Sequence, residues 1–292
     1  MRESKMTSLH RTAAGFPIQS SAAAFLVAVV VAGGWLSPTP VLADERFFTY
    51  SQDADVIPRG GWEFEQWLTF RKGYLEGNHQ FDQFLWDFRE EMEYGFTDKL
   101  SGALYLNFQQ EQIVAQEPGL PDSSKFSFKG VSGELKYQVL NPNTAPVGIA
   151  LYFEPTYNGN EQELEYKLIF SKNIGDKWVL AANATFEQEW EKEDGLTEKE
   201  SVLEFTLGAA YRFTPNWSVG IEGRYHSVYE GSALNEHLGT GWFLGPNIHY
   251  GTAKWWATLT ILPQISGDPS DGGINTTEHQ IYEARLIFGI NF

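Results

Sequence analysis

The sequence predicts an all-β protein. It is read as a single twelve-stranded antiparallel transmembrane β-barrel over residues 59–292, behind a cleaved N-terminal signal peptide. Three observations predict it. Apolar and polar residues alternate with period two in segment after segment, the mark of strands with one apolar and one polar face. Tight turns alternate with generally longer polar connections, as in barrels with short inner turns and long outer loops. The chain opens on an export signal and ends on an amphipathic strand.

Residues 1–43 read as an address. Arg2, Lys5 and Arg11 supply a positive start, residues 22–32 (AAAFLVAVVVA) an apolar core, and Val41-Leu42-Ala43 a small-residue cleavage site before Asp44. The alternative, an uncleaved anchor, is opposed by the short apolar run and by Gly33-Gly34, Pro38 and Pro40. Residues 44–58 have no clean period and read as a periplasmic lead-in.

The strands follow in order. Strand one, 61–74, turns Trp62, Phe64, Leu68 and Phe70 outward. Strand two, 81–95, does so with Phe84, Trp86, Phe88, Met92 and Tyr94, and strand three, 100–112, with Leu104, Leu106 and Phe108. Strand four, 126–139, changes parity at Gly130, which predicts a bulge. Strands five to eight lie at 148–157, 161–172, 178–190 and 201–213, and strands nine to eleven at 217–228, 240–250 and 255–265. In strand twelve, 281–292, Tyr282, Ala284, Leu286, Phe288, Ile290 and Phe292 share one face, and Glu283, Arg285, Ile287, Gly289 and Asn291 the other. This terminal strand ending on Phe292 resembles the closing strand of bacterial outer-membrane barrels. The resemblance implies recognition by the barrel-assembly machinery and insertion into outer-membrane lipid.

The tight turns are 96–99, 141–143, 175–177, 214–216 and 251–254, rich in Gly, Pro, Asn and Asp. The outer connections are expected at 113–125, 191–200, 229–239 and 266–279. Trp178, Trp217 and Trp255 follow short turns and Tyr94, Tyr211 and Tyr250 precede them, which predicts an aromatic girdle at the membrane interface. A soluble β-sandwich or lipocalin-like barrel would bury its apolar face around a core. Here that face carries large aromatics on nearly every strand, and the other carries many charges that no soluble core could bury unpaired. The net charge of -17 argues against a nucleic-acid partner. The absence of cysteine removes disulfides and thiolate chemistry.

The run Gly245-Pro246-Asn247-Ile248-His249-Tyr250, with Trp255-Trp256-Ala257-Thr258, Leu262-Pro263-Gln264, Glu278-His279 and Glu283-Ala284-Arg285-Leu286, resembles a family of small uncharacterised outer-membrane β-barrels. These are distantly similar to the outer-membrane transporters of the phenol-degradation meta-pathway. The resemblance implies a transport role in a Gram-negative outer membrane and carries no substrate or functional residue.

Catalytic chemistry finds little footing. His226-Ser227 is an adjacent pair, but neighbours on a strand face opposite ways. His226 and His249 lie more than ~20 Å apart along their strands, too far to share an ion. Asp268 and Asp271 sit in a loop that lacks the full spacing of a calcium loop. No catalytic residue, metal ligand or cofactor is assigned.

The informative constellation is the lumen face. By parity it collects the acids Glu63, Glu65, Asp87, Glu91, Glu93, Glu111, Glu134, Glu154, Glu163, Glu165, Glu187, Glu189, Glu204, Glu222 and Glu283. The bases on that face are Arg71, Arg89, Lys136, Lys167, Arg212, Arg224 and Arg285. Fifteen acids against seven bases leave eight without a base, which predicts a wet, cation-attracting lumen. The function expected is a channel or transporter for passive passage of small cationic or neutral solutes. The alternatives are a closed structural or surface-interaction barrel and a membrane-embedded lipid-modifying enzyme.

Overall fold

The computed structural model describes residues 46–292 apart from Asp194. The signal-peptide assignment at 1–43 lies outside the described residues. Twelve antiparallel strands close on themselves: β1(Trp62–Leu75), β2(Asn78–Thr97), β3(Leu100–Ala115), β4(Ser123–Leu140), β5(Gly148–Tyr157), β6(Glu161–Ile174), β7(Trp178–Glu193), β8(Leu196–Arg212), β9(Trp217–Glu230), β10(Glu236–Gly251), β11(Trp255–Asp268) and β12(Tyr282–Asn291). Each strand pairs with its sequence neighbours, and β12 returns to β1 from Glu63↔Asn291 to Lys72↔Tyr282. Closure leaves no edge to satisfy in lipid.

Side chains alternate as the pattern predicts. Leu104 is 73% exposed on the outer face, and Leu135, Phe205, Leu207 and Trp242 are also exposed there. A membrane takes these up as an apolar band. The girdle is built of touching pairs: Trp62–Tyr94, Trp178–Tyr211, Trp217–Tyr250 and Tyr250–Trp255 have ring centroids 4.5–5.0 Å apart. The parity change in β4 is a bulge. Phe108 pairs with Phe128 but Asn107 pairs with Gly130, which has φ +110, and a Cβ there would meet the Tyr157 carbonyl oxygen at 2.5 Å.

Two expectations need correction. The stretch 191–200 is a hairpin, because β7 and β8 stay paired out to Glu193↔Leu196. About ten residues cross a bilayer, and the twenty of β2 extend well beyond that. Outside lipid both faces of a hairpin can be polar, so the alternation that marks a strand is lost there.

The second correction concerns 44–58. Of the described residues in this stretch, most of 46–57 lies inside the barrel. Phe48, Tyr50, Ala54 and Ile57 are buried. Phe48 packs on Val179, Ala181 and Ala210, Ala54 on Ala150, Tyr152 and Ile169, and Tyr50 on Phe243 and Leu262. Gly208 makes room for Phe48: a Cβ would stand 2.6 Å from its ring. The segment leaves the barrel at Pro58–Gly61, where Gly60 N–H donates to Gly95 O at 2.8 Å. Its apolar side chains meet inward-facing apolar wall residues and its backbone meets polar ones, so it gains more inside the barrel than in water.

Candidate functional site: the barrel lumen

The inner wall grips this segment through a carboxylate, an amide and a hydroxyl. Glu222 on β9 accepts the N–H groups of Thr49 (3.2 Å), Tyr50 (2.9 Å) and Ser51 (2.5 Å), and the Thr260 hydroxyl (2.8 Å). Asn183 accepts from Gln52 N–H at 2.6 Å and donates to Gln52 O at 2.8 Å. Ser171 Oγ accepts from Ala54 N–H at 2.9 Å.

At one end stands Arg46, a base absent from the parity count. Its guanidinium lies 2.9 Å from Glu65 and 3.5 Å from Glu91, and 4.8 Å from the Trp67 ring centre. Burial disfavours its charge, but Glu65 and Glu91 outweigh that and hold its pKa well above the ordinary value. Trp67 Nε1 donates to Glu65 at 2.7 Å and to Glu91 at 3.2 Å, and Trp256 Nε1 to Glu63 at 3.2 Å. Glu63, Glu65 and Glu93 bring one carboxylate oxygen each within 4.8 Å of one another. Sequence reading assigned no metal ligand, yet these three are close enough to share a cation.

The remaining assigned residues also face inward. Arg71 pairs with Asp87 (2.9 Å), Arg89 with Glu154 (2.5 Å) and Lys167 with Glu165 (3.0 Å). Arg224 bridges Glu204 (2.5 Å) and Glu283 (2.8 Å). Glu134 accepts the Tyr105 hydroxyl and Glu154 the Tyr152 hydroxyl. Lys136 is buried, and Arg212 lies over the Phe47 ring at 4.4 Å. Arg285 donates to Thr69 Oγ1 (2.8 Å) and Thr49 O (3.1 Å), over the Tyr50 ring at 4.1 Å from its centre. Glu163, Glu187 and Glu189 stand half-buried on β6 and β7. Balancing acids against bases by parity overlooked Arg46, the backbone N–H donors, two tyrosines and two tryptophans. Inward Trp67, Tyr105, Tyr152 and Trp256 are the sequence signal that could have disclosed the donors.

The other end of the lumen is narrowed by the β11–β12 connection. Asn275, Thr276 and His279 are buried, and Gln264 Nε2 donates to the carbonyls of Asn275 (2.9 Å) and Gln280 (2.8 Å). His279 and His226 meet through ring nitrogens 3.0 Å apart. Burial, reinforced by Arg224, pushes His279 down to a pKa of about 4. Ser227 bonds Thr240 instead, so His226 and Ser227 do not form a nucleophilic pair. Between the inner segment and this loop lies a cavity of about 410 Å³, bounded by Thr49, Tyr50 and Gln52 on one side and Glu278, His279 and Gln280 on the other.

A closed antiparallel barrel, apolar outside and charged inside, is an outer-membrane β-barrel. The chain belongs to the family described as "Family of unknown function (DUF6662)", whose profile matches residues 40–292. A search of curated proteins gives no match. The fold is similar to the COG4313 outer membrane channel from Pseudomonas putida F1, with TM-score 0.61 and 14% identity over 82% of this chain and 98% of that one. It is also similar to the β domain of the Bordetella autotransporter BrkA, with TM-score 0.52 and 9% identity over 80% and 100%. The translocator domain of autotransporter NalP from Neisseria meningitidis gives TM-score 0.51 and 8% identity over 82% and 91%. Bacterial outer-membrane location follows from this fold.

Proposed function

We propose that the protein is a channel or transporter that passes small cationic or neutral solutes through its acidic lumen. The observation that carries this reading is the register of β5 to β9. Glu154↔Glu165, Glu165↔Glu187, Glu163↔Glu189, Glu189↔Glu200, Glu191↔Glu198 and Glu200↔Glu230 are directly opposed pairs of like charge, and among the described residues only Glu154, beside Arg89, and Glu165, beside Lys167, have a base within ion-pair distance. Opposed like charges destabilise a sheet unless cations or water screen them. A low-dielectric wall focuses their field along the pore, which draws cations in and repels anions. The reversal potential of the purified protein under a potassium chloride gradient tests this. Cation preference that weakens as salt rises is expected. Replacing Glu187 and Glu189 by Gln moves the potential toward zero, and anion preference refutes the reading.

A second reading, a closed structural or surface-interaction barrel, is favoured by the grip on residues 46–57. Absence of any conductance would support it.

A further inference from the structure

The charges lining the cavity can be paired off residue by residue. Arg71, Arg89, Lys129, Lys167 and Arg224 each have a carboxylate partner within 3.2 Å. Besides Glu278, three charged lining side chains remain outside these pairs. Among the described residues, no carboxylate stands within ion-pair distance of Arg285, and no base within ion-pair distance of Glu163 or Glu187. Glu278 adds a further acid at the loop side. In the ring order β12 lies six strands from β6 and five from β7, so Arg285 faces Glu163 and Glu187 across the lumen. Arg285 is held by Tyr50, Thr69 and Thr49, which fixes the plane of its fork. A guanidinium fork suits a carboxylate, and a pair of carboxylates suits an ammonium.

We propose that this cavity binds a small zwitterion, its carboxylate on Arg285 and its ammonium on Glu163 and Glu187. A zwitterion supplies an ionic partner to both walls at once, whereas a simple cation leaves the guanidinium without a carboxylate in ion-pair contact. The volume of about 410 Å³ falls in the ~300–1,000 Å³ range of small-molecule sites. The inference rests on the channel reading and gives it a solute class.

The test uses the full mature chain in a planar bilayer carrying potassium chloride current. The probes are 4-aminobutyrate with its single-charge relatives butylamine and butyrate, and glycine and β-alanine for shorter charge spacing. Interruptions of the current by the best zwitterion should last at least about tenfold longer than those by either relative, as expected for one added charge-assisted contact. Arg285→Gln should abolish that advantage over butylamine, and Glu187→Gln the advantage over butyrate. A cation-selective current that butylamine interrupts as long as the zwitterions overturns the inference and leaves the channel reading standing. Without current the channel reading fails. The inference is then read from the unfolding midpoint of the detergent-solubilised protein. A rise with a zwitterion but not with butylamine or butyrate supports binding, and no difference overturns it.

Discussion

Glu222→Gln isolates the grip on the inner segment. The carboxylate accepts three consecutive N–H groups, from Thr49, Tyr50 and Ser51, and the Thr260 hydroxyl. A hydrogen bond to a charged group contributes about 1.5–3 kcal/mol, and a neutral one about half of that. Gln keeps one acceptor oxygen but turns an NH₂ group toward Thr49 N–H, so that contact is lost and the others weaken. The expected loss is about 2–4 kcal/mol. At about 1.4 kcal/mol per tenfold, the released population rises roughly 30- to 700-fold. Amide hydrogen exchange at residues 49–51 reads this directly, against unchanged exchange in β3 and β8. Single-channel current should rise or flicker in parallel. Unchanged protection at 49–51 in a folded variant would refute the reasoning.

Gly208→Leu should expel Phe48, whose ring stands 2.6 Å from the new Cβ, and expose Arg46 to trypsin while the barrel keeps its heat-modifiable gel mobility. Gln66 Nε2 donates to Glu90 Oε1 at 3.2 Å on the outer wall; Glu90→Leu should cost about 1 kcal/mol in thermal stability, with recovery in the Gln66→Leu/Glu90→Leu double variant. His279 has a folded pKa of about 4, below its ordinary 6.5, so the unfolded loop binds the extra proton. The inward fold of 269–281 is therefore stable above about pH 6.5 and weakens progressively as pH falls toward 4. Protease protection of that loop should follow the curve, and His279→Gln should flatten it. Cysteines at Asn235 or Gly272 should label on intact cells with an impermeant reagent, and those at Asp98, Asn143 or Asp176 should not; the reverse pattern would invert the barrel in the membrane.

The barrel was legible because lipid imposes a period-two code on every strand. That code turned Trp62 and Tyr94 outward, where they stand opposite each other, and flagged Gly130 where the register shifts. It failed where the cause of order is not lipid. The 191–200 hairpin continues beyond the apolar band, with polar residues on both faces. Residues 46–57 have no period because each meets a different strand: Ser51 finds its partner 171 positions away at Glu222 and Ala54 its own 117 away at Ser171. Parity assigned Glu63, Glu91 and Glu222 to the inner face, and all three are buried. It could not show that a segment of the same chain comes to meet them, so charge balance alone exaggerated how many acids need solvent.

The most direct measurement asks whether current runs through the lumen past β7. The chain has no cysteine, so Glu187→Cys presents a single thiol in the cavity wall. In a planar bilayer, a cationic methanethiosulfonate reagent should reduce its potassium chloride current stepwise and leave the unsubstituted protein unaffected. Undiminished current after complete labelling would contradict the claim that solutes cross the acidic lumen.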